Sequence, residues 1–318
     1  MQLYKSVMYP KIVFFGTPSF ASEILNALID ANVPIVAVVT QPDRPKGRSL
    51  QVVPSEVKTV AEQRLRDVPV FQPIKSSNAD FLAQLRSLHA DLYVVVAFGQ
   101  ILPQSLLDIP KLGCINIHAS LLPKYRGAAP MQRALMHGEK ETGVAIQKMV
   151  RELDAGDVIA TAKVAVAEDT VLGDLHDALC NVSKPLLLDV LRAYTHGVPP
   201  AVAQDVSQIT WAPKILPEET ELHWEQDAKT LHNTVRALSP KPGVWCWVEL
   251  NGEKKRLKIF RTHVLPGKAP IGEVASLKEL VIGCGNNLLQ LVEVQLEGKP
   301  RMKGPDWARG LKASTRFL

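Results

Sequence analysis

The sequence predicts an α/β protein: a Rossmann-like parallel-sheet domain followed by a smaller C-terminal β-barrel of OB-like type. Three observations carry that expectation. Short apolar runs alternate with helix-period segments over the first two-thirds of the 318 residues, the pattern of a parallel sheet wrapped by helices. A proline-bearing stretch, Gly197 to Pro217, then breaks the periodicity. Beyond it the apolar runs are strand-like, and two of them flank Asn251-Gly252, a dipeptide that favours a tight hairpin turn. The expected bounds are 11–199 for the sheet domain, 200–214 for a linker and 215–318 for the barrel.

Ile12 to Phe15 reads as the first strand, followed by the turn Gly16-Thr17-Pro18 and a helix from Phe20 to Leu28. Ile35 to Thr40, Val68 to Phe71, Leu92 to Phe98 and Cys114 to His118 continue the strand series, with helices at 56–65 and 79–88. A helix at Pro130 to Met136 precedes a strand at Val144 to Met149, and an amphipathic helix from Val171 to Tyr194 closes the domain. The second part offers a helix at Asp227 to Leu238. Its strands are Val244 to Leu250, Arg256 to Phe260, Ile271 to Val274, Leu280 to Ile282 and Leu288 to Val294. The turn after the first strand carries Pro18 and Phe20 where GxGxxG would let the backbone approach a pyrophosphate. That disfavours a bound dinucleotide.

A hydrophobic fraction of 46% and a charged fraction of 22% are those of an ordinary soluble protein. A chain this long buries a sizeable core without metal or disulfide staples. Its longest apolar runs fall far short of a membrane span, and Met1 to Pro10 has neither a signal-peptide nor a transit pattern, so the cytoplasm is the expected location. Cys114, Cys180, Cys246 and Cys284 form no CxxC pair, which predicts reduced thiols and no zinc site. Residues 1–210 carry 20 basic and 20 acidic side chains, and residues 211–318 carry 17 and 12. The net charge of +5 therefore sits in the C-terminal third. Lys254, Lys255, Arg256, Lys258 and Arg261 cluster there, as do Arg301, Lys303 and Arg309. Such clusters are either a solvated face or a phosphate-binding one.

The informative stretch is Gly113 to Pro123. Asn116 and His118 stand two apart on a predicted strand, so both side chains leave the same face, at a sheet end where open α/β sheets carry their ligand crevices. A buried amide beside a buried imidazole must be hydrogen-bonded. A satisfied core histidine with a polar neighbour meets that requirement, and so does part of a catalytic site. Asp154, in the loop Arg151 to Asp157, either caps a turn or reaches His118 and orients its ring. Cations also gather at Arg44, Lys46 and Arg48, which read as an exposed charged loop.

With those residues in view, the sequence resembles the 10-formyltetrahydrofolate-dependent formyltransferases, in which Asn-x-His, Ser-Leu-Leu-Pro and a later Asp recur in this order. The resemblance runs from Ile12 into the C-terminal tail. It takes in Phe15-Gly16-Thr17-Pro18, Thr40 to Pro45, Lys124 to Arg133, Glu141-Thr142-Gly143-Val144 and Leu153 to Asp157, and later Ile209 to Lys214 and Gly298 to Met302. It implies transfer of a formyl group from 10-formyltetrahydrofolate, without a metal, to the amino group of methionine esterified to initiator tRNA, by a monomer away from membranes. It also implies Asn116, His118 and Asp154 as catalytic residues, and Ser120, Leu121, Leu122 and Pro123 as contacts to the folate. Arg44, Lys46 and Arg48 become contacts to the tRNA acceptor end. Ser49-Leu50-Gln51 departs from the family, whose members often carry further lysines there. Other readings are an amino-sugar nucleotide as acceptor, a purine-pathway transferase, which would need no second domain, and an RNA binder without a reaction.

Overall fold

The computed structural model describes residues 9–46, 51–312 and 315–318. They form two compact units: the first holds residues to 127 together with 143–164 and 178–211, the second 128–142, 165–177 and 212–318.

The first unit contains a seven-stranded sheet. In spatial order its strands are Val158–Ala165, Glu141–Lys148, Cys114–His118, Leu92–Val96, Ile12–Gly16, Ile35–Val39 and Val70–Phe71. The last five pair in parallel, and numbered along the chain they lie 3-2-1-4-5, the order of a Rossmann half. All five residues of Ile12–Gly16 and of Leu92–Val96 are buried. These strands read as unbroken apolar runs because a central parallel strand is covered on both faces. The order in which the chain lays down its strands reverses between these two, which is where such sheets open a crevice at their carboxyl ends.

Glu141–Lys148 departs from the all-parallel expectation, since it runs antiparallel to Cys114–His118. The physical reason lies in the preceding segment. A parallel neighbour requires a crossover packed on the sheet, but the helix Pro130–Met136 that leads into this strand belongs to the second unit. Arg44–Lys46 pairs antiparallel with Gln51–Val53, where the sequence reads as an exposed charged loop.

The second unit is an antiparallel sheet ordered Val274–Ser276, Val281–Gly283, Leu288–Leu296, Glu253–Leu265, Val244–Leu250 and Arg316–Phe317, with Met302–Lys303 beside Leu288–Leu296. Val244, Cys246 and Val248 point into its core while Trp245, Trp247 and Glu249 are more exposed, the alternation of a sheet with one dry face. At the Asn251-Gly252 turn both residues have positive φ, 53° and 82°, the geometry of a type I′ hairpin. The helix Ala228–Leu238 lays Leu231, Val235 and Leu238 on this core. The two edge strands meet through an antiparallel bridge between Glu273 and Arg316 and through the Phe317 N–H donating to Gly272 O at 2.9 Å. These contacts bring the sheet close to closing into a barrel.

Gly272 makes the closure possible. Its φ is +72°, and a Cβ built there would lie 2.2 Å from the Phe317 carbonyl oxygen. Gly272→Ala is expected to cost about 2–4 kcal/mol through the left-handed backbone and the displaced strand end. An unfolding midpoint equal to that of the parent protein would show that the barrel does not depend on this seam.

A polar cluster inside the second unit has a pH consequence. His232, almost fully buried, lies 3.0 Å from the Glu168 carbonyl through Nε2 and 3.0 Å from Thr262 Oγ1 through Nδ1. A carbonyl only accepts, so Nε2 carries the proton and Nδ1 accepts from the threonine hydroxyl, the pattern of a neutral ring. Burial, helped by the nearby Arg236 and Lys229, holds its pKa below 6.5, against the opposing pull of the Glu168 carbonyl and Asp169. The unfolded chain then takes up a proton that the folded one refuses, so stability is full above pH 6.5 and declines as pH falls below it. His232→Gln is expected to flatten the dependence of the melting temperature on pH below 6.5. An unchanged slope would remove His232 as its source.

Candidate active site

The strand Cys114–His118 is anchored by Cys114, Ile115 and Ile117, all buried. Pairing sets Asn116 directly across from Gln147 and His118 across from Ala145. Asn116 and His118 share a face, as their spacing predicts. His118, 6% exposed, places Nε2 2.8 Å from the Tyr125 carbonyl oxygen. That oxygen can only accept, so Nε2 carries hydrogen and Nδ1 is the nitrogen turned toward the loop at 150–157.

From that loop comes Asp154, its side chain 10% exposed. Its Oδ1 lies 3.0 Å from Gln147 Nε2, 3.5 Å from Asn116 Nδ2 and 3.6 Å from His118 Nδ1. Its Oδ2 accepts the Gly127 N–H at 2.9 Å. The structure thus brings together the carboxamide, imidazole and carboxylate that the sequence singled out. The loop is held tightly to deliver the carboxylate. Lys148 N–H donates to Asp157 O at 2.9 Å, and a Cβ on Gly156 would sit 1.6 Å from Lys148 O, an approach only glycine allows. Asp154 has φ +51° and Tyr125 φ +62°, two left-handed residues without glycine's freedom. Such positions persist only where surrounding contacts over-determine them, and they cluster at functional sites.

Three supporting residues were missed in the sequence. Gln147 is 2% exposed; a buried amide within the apolar run Val144 to Met149 was a readable signal. Arg126 is 3% exposed and holds Gln204, with Nε at 3.0 Å and Nη2 at 2.8 Å from Gln204 Oε1. Gln204 gave no such signal, since it lies in the stretch read as a linker. Its part within the first unit is held by backbone pairing: Val202 and Val158 exchange hydrogen bonds of 2.8 Å, and the Arg126 N–H donates to Thr210 O at 2.9 Å.

In the turn after the strand, Ser120 and Leu122 are buried, and Ser120 Oγ donates to Lys124 O at 2.5 Å. Leu121 and Pro123 keep part of their apolar surface in contact with solvent. Arg44 is exposed, with one long bond from Nη2 to Gln41 Oε1 of 3.4 Å. Its neighbour Asp43 accepts from Lys58 Nζ at 2.6 Å and Gln72 Nε2 at 2.7 Å, and the lysine bond holds its carboxyl below the usual range. Arg44 is thereby presented from a fixed base. Lys46 contributes backbone to the strand Arg44–Lys46, and Arg48, like Ser49 and Leu50, lies outside the described residues.

All four cysteines are buried and free, and burial pushes the Cys114 thiol well above its ordinary pKa, which removes it as a nucleophile. Among the described residues, no group of three or more His, Cys, Asp or Glu side chains is placed to hold a metal ion, and no helix is long and apolar enough to cross a membrane.

A family model described as formyl transferase matches residues 10–191, and one described as formyl transferase, C-terminal domain, matches residues 214–312. The methionyl-tRNA formyltransferase of Protochlamydia amoebophila is 49% identical over 312 residues, covering 97% of this chain and 98% of that protein. The enzyme of the same name from Symbiobacterium thermophilum is 44% identical over 315 residues, 96% of this chain and 95% of that one. Among solved structures, HypX from Aquifex aeolicus in complex with tetrahydrofolic acid superposes with a TM-score of 0.62 at 18% identity. The match covers 94% of this chain but 47% of HypX, so the chain spans about half the length of that protein. An N-formyltransferase from Helicobacter canadensis, in complex with folinic acid and dTDP-3-aminofucose, gives 0.64 at 14% identity over 89% of this chain and 99% of its own. At these identities the two structures share the fold.

Proposed function

Because this chain belongs to the formyl transferase family, matched in both of that family's domains, we propose that it moves a formyl group from 10-formyltetrahydrofolate to the α-amino group of methionyl initiator tRNA, the modification that marks the initiator for protein synthesis. The observation that carries this reading is the Asp154 carboxylate, with Asn116, His118 and Gln147 gathered around one of its oxygens. Relatives of nearly equal length and 44–49% identity that are named for the methionyl-tRNA reaction support the acceptor.

The chemistry asks for three things. The attacking amine must be neutral, and a free α-amino group has a pKa of about 7.7–8.0, so a working fraction is present near neutral pH. Its attack on the formyl carbon puts negative charge on the formyl oxygen, for which the Asn116 amide is the donor, and His118 Nδ1 adds a second when the ring carries both protons. The amine also gains a surplus proton, for which Asp154 is the acceptor. The balance closes when the new carbon–nitrogen bond to methionine replaces the one to the folate and the proton passes to the departing folate nitrogen. Folate supplies the activated formyl group. The turn at Ser120 to Pro123 suits it through the apolar faces of Leu121 and Pro123, while Ser120 and Leu122 hold the turn from within. Arg44, with Lys46 and Arg48, meets the tRNA acceptor end, and the basic barrel grips backbone phosphates, contacts that position without reading sequence.

The test is formyl transfer from labelled 10-formyltetrahydrofolate to methionyl-tRNA, to an amino-sugar nucleotide, and with no acceptor. Label on methionyl-tRNA alone is the expected result. Label on the sugar alone would overturn the acceptor, and no transfer to either would overturn the reaction.

A further inference from the structure

Gln204 has all of its polar capacity engaged at the back of this site. Its Oε1 accepts from Arg126 Nε and Nη2 at 3.0 and 2.8 Å. Its Nε2 lies 2.8 Å from Asp154 O, 2.7 Å from Gly156 O and 3.5 Å from Gln147 Oε1. The orientation of the amide follows from its neighbours. Turned over, it would set N–H groups against a guanidinium and its oxygen against two carbonyls, both repulsive. Gln204 therefore clasps the backbone on both sides of Ala155, at the left-handed Asp154 and the tightly seated Gly156. It also backs the amide of Gln147, whose Nε2 donates to Asp154 Oδ1 at 3.0 Å.

We infer that Gln204 is a positioning residue for Asp154: it fixes the loop that carries the carboxylate and, through Gln147, one of the donors that this carboxylate accepts. The inference rests on the reading of Asp154 as the proton acceptor. Gln204 is set to act on turnover rather than on substrate affinity, because its groups are spent on the loop and on Arg126. Misplacing a reacting group by an ångström costs up to about a hundredfold in rate. A carboxylate that loses an N–H donor is easier to protonate, so the part of the acid limb set by this carboxylate should move to higher pH, while the part set by the attacking amine stays in place.

The experiment compares the full chain with Gln204→Met, Gln204→Glu, Gln147→Met and Asp154→Asn, each checked for a native melting temperature, in steady-state formyl transfer across pH. For Gln204→Met the expected result is a kcat lowered about 10–100-fold, KM for both substrates within about threefold, and an acid limb displaced upward. Gln147→Met should displace the limb in the same direction. Gln204→Glu keeps acceptors for Arg126 but opposes two carbonyls with a carboxylate, and should not rescue. If Asp154→Asn is inactive while Gln204→Met keeps the parent kcat and pH profile, the inference is wrong and the reading of Asp154 stands. Rescue by Gln204→Glu would also overturn it, by moving the effect to Arg126. An active Asp154→Asn sinks the reading and the inference together. Should Gln204→Met fail to fold, Gln147→Met decides: an unmoved limb there defeats the proposal.

Discussion

Asn116→Ala is expected to lower kcat by about 10²–10³-fold, the usual cost of one lost donor to a developing oxyanion, with the protein folded and its folate affinity retained. The free protein shows why this amide is the one to remove. Its Nδ2 stands 3.5 Å from Asp154 Oδ1, at the outer limit of a useful hydrogen bond, so the group is held in place without being committed. A formyl oxygen brought to it would gain a shorter bond only as charge develops. Little stability is at stake, since the contact given up is long. The check is kcat and KM measured separately for both substrates, with folate binding followed by fluorescence. A kcat within about threefold of the parent would take Asn116 out of the transition state.

Part of this arrangement is legible in the sequence alone. The strand Cys114–His118 and the helix Pro130–Met136 have the bounds the pattern predicts, because apolar alternation and a proline at the helix start are local signals. The Asn251-Gly252 turn was legible for the same reason. What escaped depends on distant partners. Glu253–Leu265 is thirteen residues long, although its charged first half interrupts the apolar pattern, because cross-strand pairing with Val244–Leu250 extends it past what periodicity marks. The reversed direction of Glu141–Lys148 depends on where its preceding helix packs, which spacing does not encode. Within the site, the meeting of Asp154 with Asn116 came from topology and family pattern together. Gln204 was invisible to both, because its role exists only once Val202 has paired with Val158 and turned the following residues toward the loop.

Asp154→Asn is expected to show the largest loss, at least about 10³-fold in kcat, within the range that a general base supplies. The substitution looks conservative and is not. Gln147 Nε2, Asn116 Nδ2 and the Gly127 N–H all point donors at this side chain, and a carboxylate satisfies them with two accepting oxygens. An amide has one. Whichever way it turns, its NH₂ meets a donor, either the fixed backbone N–H of Gly127 or the side chain of Gln147, which Gln204 backs from behind. The variant therefore loses the proton acceptor and disturbs the site's geometry at once. The two effects separate by pH. Loss of the base removes only the carboxylate's own break from the acid side of the kcat profile, the break due to deprotonation of the attacking amine remaining, whereas a misplaced but working base would keep both breaks at a lower rate. A variant that stays within tenfold of the parent and keeps both breaks would mean that the surplus proton leaves by another route.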